Sequence, residues 1–95
     1  MSEQQFESLG RYTAYKEEAE KLARERNRAL ADLKRLIQSA VGEGPTISAY
    51  DFNTAKAEEL LAKAGRLHRE MQQAKAEAND AAAGCGKPAL TTISY

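Results

Sequence analysis

The chain has no tryptophan, one cysteine, one histidine and two prolines, and its charges cancel, with 14 Lys and Arg against 14 Asp and Glu. Each scarcity removes a class of function. Cys85 stands alone, so no internal disulfide can staple the chain, and a cytosolic setting is expected. His68 has no second histidine and no nearby cysteine, whereas a zinc site needs three or four suitable ligands. No metal or other cofactor is expected. The lack of a basic excess argues against a general nucleic-acid binder, which displaces counterions with surplus Lys and Arg. No apolar run approaches the roughly 20 residues of a membrane-crossing helix. Met1-Ser2-Glu3-Gln4-Gln5 is polar, without the basic-then-apolar order of a signal peptide. No membrane partner is expected.

Large apolar side chains are also few. Apolar residues make up 42% of the 95 positions, but 18 of them are alanine. Alanine favours helix strongly and buries little surface. A thin seam between helices is therefore expected in place of a thick core. With 29% charged residues, the rest of the surface should be well solvated.

Two helical patterns frame one break. The first opens on Ser2 with Gln5 three residues on, a capping box. Met1 and Phe6 stand where a hydrophobic staple would place them. This helix is expected over residues 3–41, closed by Gly42 and weakened only at Gly10. Gly42-Glu43-Gly44-Pro45-Thr46 is the strongest punctuation in the chain, and the turn is assigned to residues 42–48. Ser48 with Asp51, and Ile47 with Phe52, repeat the start signals. A second helix is expected over residues 49–83, ending at Gly84, with an extended or flexible tail over 85–95.

Both helices bear a heptad-like apolar seam. In the second it runs through Ala57, Leu60, Ala64, Leu67, Met71, Ala74, Ala78 and Ala81. In the first it runs through Tyr12, Tyr15, Ala19, Leu22, Arg26, Leu30, Leu33 and Ile37. Folding the chain at its break sets Tyr12 against Ala78, Ala19 against Met71 and Arg26 against Ala64. Large side chains then repeatedly face small ones, as close packing requires. The fold class read from this is all-α: an antiparallel two-helix hairpin, coiled-coil-like, with an extended C-terminal tail. A single contact line cannot hide Leu30, Leu36 and Leu61 together, since they lie about 100° or more apart on their helices. A dimer forming a four-helix bundle, or another protein on the same stripe, is the expected remedy.

The candidate sites follow. Leu30, Leu36, Ile37, Tyr50, Phe52 and Leu61 form the expected protein-binding stripe near the turn. Arg24, Arg26, Arg28, Lys63, Arg66 and Arg69 form a mid-hairpin basic belt, the alternative nucleic-acid site. The same cations have acidic neighbours at helical spacing: Glu20 with Arg24, Lys21 with Glu25, Arg28 with Asp32, Glu59 with Lys63, and Arg66 with Glu70. That solvated-face reading is preferred. His68 reads as a flanking residue of the interface, and Cys85 as an unremarkable exposed thiol just after the helix, because a helix C-terminus disfavours thiolate. Gly84-Cys85-Gly86-Lys87-Pro88 lacks the Ser or Thr and the following helix of a phosphate loop. No catalytic residue and no small-molecule substrate are expected.

The turn has neither the Trp-x-Gly of the secreted hairpins of Gram-positive export systems nor the Pro-x-x-Pro of type III secretion needle subunits. In size and composition the chain resembles the short helical accessory proteins of phages and mobile elements, a likeness resting on no motif. The expected function is a non-catalytic protein-interaction module, an adaptor or modulator of a host or phage complex.

Overall fold

Ser2 has an extended backbone, and its hydroxyl accepts the Gln5 N–H at 3.2 Å while the Gln5 side-chain oxygen accepts the Ser2 N–H at 3.1 Å. This reciprocal pair satisfies two amides that a helix start leaves without partners. In the computed structural model of the chain, which describes residues 2–42 and 52–90, the helix begun there, α1, is continuous over Glu3–Val41. Met1, half of the expected staple, lies outside the described residues, and Phe6 is exposed. Gly42 closes α1 at a φ of 78°, with its N–H donated to the Gln38 carbonyl.

The second helix, α2, spans Thr54–Cys85, which corrects the expected limits of 49 and 83. At its start the cap is Asn53, whose Oδ1 accepts the Lys56 N–H at 3.0 Å, while Phe52 and Asn53 are not helical. Asparagine caps as well as serine, so the sequence held two competing start signals. Ser48, Asp51 and Ile47 of the other signal lie outside the described residues.

At its end, α2 passes through Gly84 and stops at Gly86, the residue that takes the left-handed conformation with φ 74° and ψ 17°. The Lys87 N–H then donates back to the Ala82 carbonyl at 3.1 Å, the six-to-one bond of a Schellman close. Gly84 serves a different purpose. A Cβ there would lie 3.0 Å from the Ser8 Cβ and closer still to the Ser8 hydroxyl. The helices approach so tightly at this point that a side chain does not fit.

The fold is all-helical, with no strand among the described residues. Ser8 lies against Gly84, Arg11 near Glu77 and Arg26 near His68. As positions rise along α1 their partners fall along α2, so the helices are antiparallel. The resulting body measures 65 × 23 × 13 Å, a slab one helix thick.

The core is the strip between the two helices. On α2 the buried residues are Leu60, Ala64, Leu67, Met71, Ala74, Ala78, Ala81 and Ala82, with Ala57 half-buried. This is the seam read from the sequence with Ala82 added. Tyr12 packs on Ala78, and Ala19 shares a cluster with Met71, as the folded-back register requires.

The α1 seam needs correcting. Its buried residues are Tyr12, Ala19, Leu22, Ala23 and Ala29, while Tyr15, Leu30 and Ile37 are exposed. Arg26 and Leu33 are half-buried. Relative to the expected stripe, α1 turns Ala23 and Ala29 toward α2 and leaves Leu30 at the edge. Alanines on both sides let the two backbones approach closely, and Leu22, Leu67 and Met71 fill the space between them. Among the described residues no large side chain is completely enclosed, as the composition leads one to expect.

Two glycine substitutions should separate propensity from packing. Nothing lies within 4 Å of a Cβ built at Gly10, so Gly10→Ala should stabilise the chain by about 0.5–1 kcal/mol in urea unfolding. Gly84→Ala should destabilise it despite the same gain in propensity, because Ser8 must give way. Equal stabilisation by both would rule out the close approach.

Candidate functional site

A slab of two helices has two broad sides, and here they differ in chemistry. On one, Arg26 and Leu30 of α1 meet Leu61, Ala64, Gly65 and His68 of α2 around an open depression of about 290 Å³. Its floor is apolar. Leu30 is 42% exposed and Leu61 is 61% exposed, and Gly65 adds no side chain of its own, the Arg69 guanidinium lying 3.5 Å from where its Cβ would stand. Ile37 follows Leu30 by seven residues, two helical turns, and so prolongs the stripe toward the turn. It too is exposed, as are Val41 and Phe52.

On the opposite side, Glu25, Arg28 and Asp32 of α1 meet Lys63 of α2 above the buried Ala29 and Leu60. Acid and base alternate there, and the surface is polar. The rotation of α1 that buries Ala29 is what turns Leu30, one residue and about 100° further on, out to the other side. The packing of the seam therefore creates the apolar face.

The depression is bounded toward the open end of the hairpin by a polar bridge. Arg26 Nη1 donates to His68 Nδ1 at 3.0 Å, while its Nε and Nη2 both donate to Asn27 Oδ1. A guanidinium only donates, so Nδ1 accepts and the imidazole proton sits on Nε2. Gln72 Nε2 lies 3.5 Å from that Nε2, and because both nitrogens then carry protons, the Gln72 carboxamide accepts from the ring only with its oxygen turned toward it. His68 thus closes the rim of the groove and anchors the one charged residue on the seam, consistent with its reading as a flanking interface residue.

Of the expected protein-binding residues, Leu30 and Leu61 meet in the groove and Ile37 continues it. Phe52 is exposed just before α2, Leu36 is half-buried, and Tyr50 lies outside the described residues. Sequence reasoning missed Gly65 and Ala64, whose small size makes the depression. The missing Cβ at position 65, beside Leu61 and His68, was the available signal.

The six belt residues encircle the hairpin at one level rather than lining one side. Arg26 is on the groove side, Arg28 and Lys63 on the opposite side, and Arg66 is paired with Glu70 at 3.9 Å. Arg24 and Arg69 are exposed. Cations spread around a rod do not form the one-sided track that follows a phosphate backbone. Glu20 with Arg24 and Lys21 with Glu25 are not within ion-pair distance, and the acids of two other expected pairs take different neighbours. Asp32 pairs with Arg35, and Glu59 with Lys56 at 3.7 Å. Exposed pairs at helical spacing are worth only about 0.3–0.5 kcal/mol, so several partners compete on equal terms. Arg11 and Glu77 form an ion pair between the helices at 3.7 Å.

At the open end the same side of the slab is occupied. After Gly86 the chain turns back along α2, and Leu90 lies beside Asn79, its N–H donated to Asn79 Oδ1 at 2.6 Å and its carbonyl accepting from Asn79 Nδ2 at 3.4 Å. Leu90 and Cys85 pack on Tyr12, Ala78, Ala81 and Ala82. Cys85 is therefore the last residue of α2 and half-buried, its thiol toward the Ala82 carbonyl, rather than an exposed thiol beyond the helix. The residues of the expected tail up to Leu90 run along the hairpin.

No protein-family model, curated protein or solved structure matches the chain. The site therefore rests on its own chemistry. Among the described residues no group of three or more His, Cys, Asp or Glu side chains is placed to hold a metal ion, and no helix is long and apolar enough to cross a membrane. What the groove offers is apolar surface with a cationic, hydrogen-bonding rim.

Exposure predicts how the fold tolerates charge. Leu61→Asp should lower stability by only about 1 kcal/mol, largely through helix propensity. Leu67, 3% exposed, should not tolerate Asp at all, since its carboxylate would be buried without a partner. Circular dichroism with thermal melting of both variants checks the assignment.

Proposed function

We propose that this chain is a non-catalytic protein-interaction module, an adaptor or modulator of a host or phage complex in the cytosol, working through the apolar side of its hairpin. The observation that carries the reading is the groove around Leu30 and Leu61, continued by Ile37 toward the turn. Clustered exposed apolar side chains with a polar rim are characteristic of docking sites.

The first occupant of this side is a second copy of the chain, in a four-helix bundle. Two slabs stacked through their apolar sides would cover Leu30, Ile37 and Leu61 together. The slab is 65 Å long and 23 Å wide, ample for the roughly 800 Å² per partner of a stable interface. Gly65 and Ala64 allow close approach across it. A different protein presenting an amphipathic helix would use the same surface by the same chemistry.

Light scattering coupled to size-exclusion chromatography tests this directly. The mass should rise from 10.4 kDa toward twice that value with concentration, and Leu30→Asp and Leu61→Asp should each hold the chain at the monomer mass. Arg24→Ala with Arg28→Ala should leave the mass profile unchanged. Self-association that survives both leucine substitutions, with the helical content intact, would overturn the proposed surface.

A further inference from the structure

The short strap that follows α2 is seated on the helices in the manner of a ligand. We infer that the open end of the hairpin carries a docking site for an extended peptide with a leucine-sized side chain, and that the chain's own residues 86–90 occupy it. This site lies toward the open end, away from the groove at Leu30 and Leu61, and is independent of it.

One side chain holds the backbone of the strap. Asn79 Oδ1 accepts the Leu90 N–H at 2.6 Å, and Asn79 Nδ2 donates to the Leu90 carbonyl at 3.4 Å. A carboxamide that engages both groups of one residue offers an extended chain what a neighbouring strand would offer it. Such a contact is blind to the side chain, so the surface beside it supplies the selectivity. There Leu90 packs on Tyr12, Ala78, Ala81 and Ala82. One ring and three small residues suit a single aliphatic group.

A second point of contact lies three residues earlier. Lys87 lines a cleft of about 330 Å³ together with Glu17 and Glu20 of α1. Tyr12 borders this cleft as well as the apolar cluster, so the two subsites are continuous. Lys16 also lines the cleft, its Nζ 6.0 Å from the centroid of the Tyr12 ring. The two carboxylates favour a basic side chain at this position. The preferred peptide therefore has Lys or Arg three residues before its leucine.

The strap is lightly attached. Gly86, Lys87, Pro88 and Ala89 are exposed, and Leu90 is only half-buried. The Gly86 and Lys87 N–H groups bond the Ala82 carbonyl, which closes the helix and does not involve Leu90. One side chain and one carboxamide thus seat the strap, and a partner segment of the same kind can replace it. Its tether gives it an effective concentration on the order of millimolar, so the intact chain is self-occluded against weak competitors.

A peptide of the strap sequence, acetyl-Gly-Lys-Pro-Ala-Leu-amide, is the probe, added to the full chain and followed by NMR. In Leu90→Gly it should saturably shift the Asn79 carboxamide, the Tyr12 ring and the Ala78 and Ala82 methyls, leaving Leu61 unmoved. In the unaltered chain binding should be at least about tenfold weaker, because the tethered Leu90 competes. Adding Asn79→Ala to Leu90→Gly, or ending the probe in glycine in place of leucine, should abolish the shifts. Leu90→Ser serves as a second open variant, and circular dichroism establishes that each variant is folded. No saturable shift in the folded open variants would overturn the site. Equal binding by the unaltered chain, or binding that survives Asn79→Ala, would do the same. The mass of Leu30→Asp and Leu61→Asp plays no part in these readings, so the docking proposal is judged separately.

Discussion

Everything in this molecule depends on the closeness of two helices along a seam made mostly of alanine. Ala19, Ala23 and Ala29 on one side and Ala64, Ala74, Ala78, Ala81 and Ala82 on the other are buried. Among the described residues only Tyr12, Leu22, Leu60, Leu67 and Met71 add bulk there. Small residues keep the axes near each other, and the tightest point is visible where Gly84 passes Ser8. Because each alanine removes little apolar area from water, stability rests on continuity of the seam and on the intrinsic helix preference of the chain. The capped ends contribute in the same sense: the Ser2–Gln5 box, Asn53 and Gly86 each satisfy backbone groups that the seam cannot reach.

The same constraint determines the surface. Helices that meet through their smallest residues turn larger ones outward, and the orientation of α1 decides which. Burying Ala23 and Ala29 sends Leu30 and Ile37 to one broad side, where Leu61 joins them from α2. The other side, with Glu25, Arg28, Asp32 and Lys63, remains polar. A rod of this kind therefore has distinct sides without having an interior large enough to hold a ligand. Recognition of another apolar surface is the chemistry that such a side performs well.

Much of the fold was legible in the residues, for physical reasons that can be located. The α1 start followed from one unambiguous capping box, and the α2 seam followed from a repeat with no competing apolar stripe. The α2 start was misplaced because Ser48 and Asn53 are both good caps, and local chemistry does not rank them. The α1 seam was misread because large residues were assigned to the interior by default. A pattern of alanines at positions 19, 23 and 29 offered an alternative strip whose advantage appears only when the partner helix is present. Within the site, Leu30, Ile37 and Leu61 could be found from their excess over one contact line. The Arg26–His68 bridge could not, since it depends on what lies across the seam.

The central claim is that Ala23 and Ala29, not Leu30, face α2 from α1. Nuclear Overhauser contacts across the seam test it most directly. The Met71 methyl should contact the Ala19 and Ala23 methyls, and the Tyr12 ring should contact that of Ala78, while Leu30 shows no contact with Leu67. Strong Leu30–Leu67 contacts, with Ala23 and Ala29 open to solvent, would contradict the account.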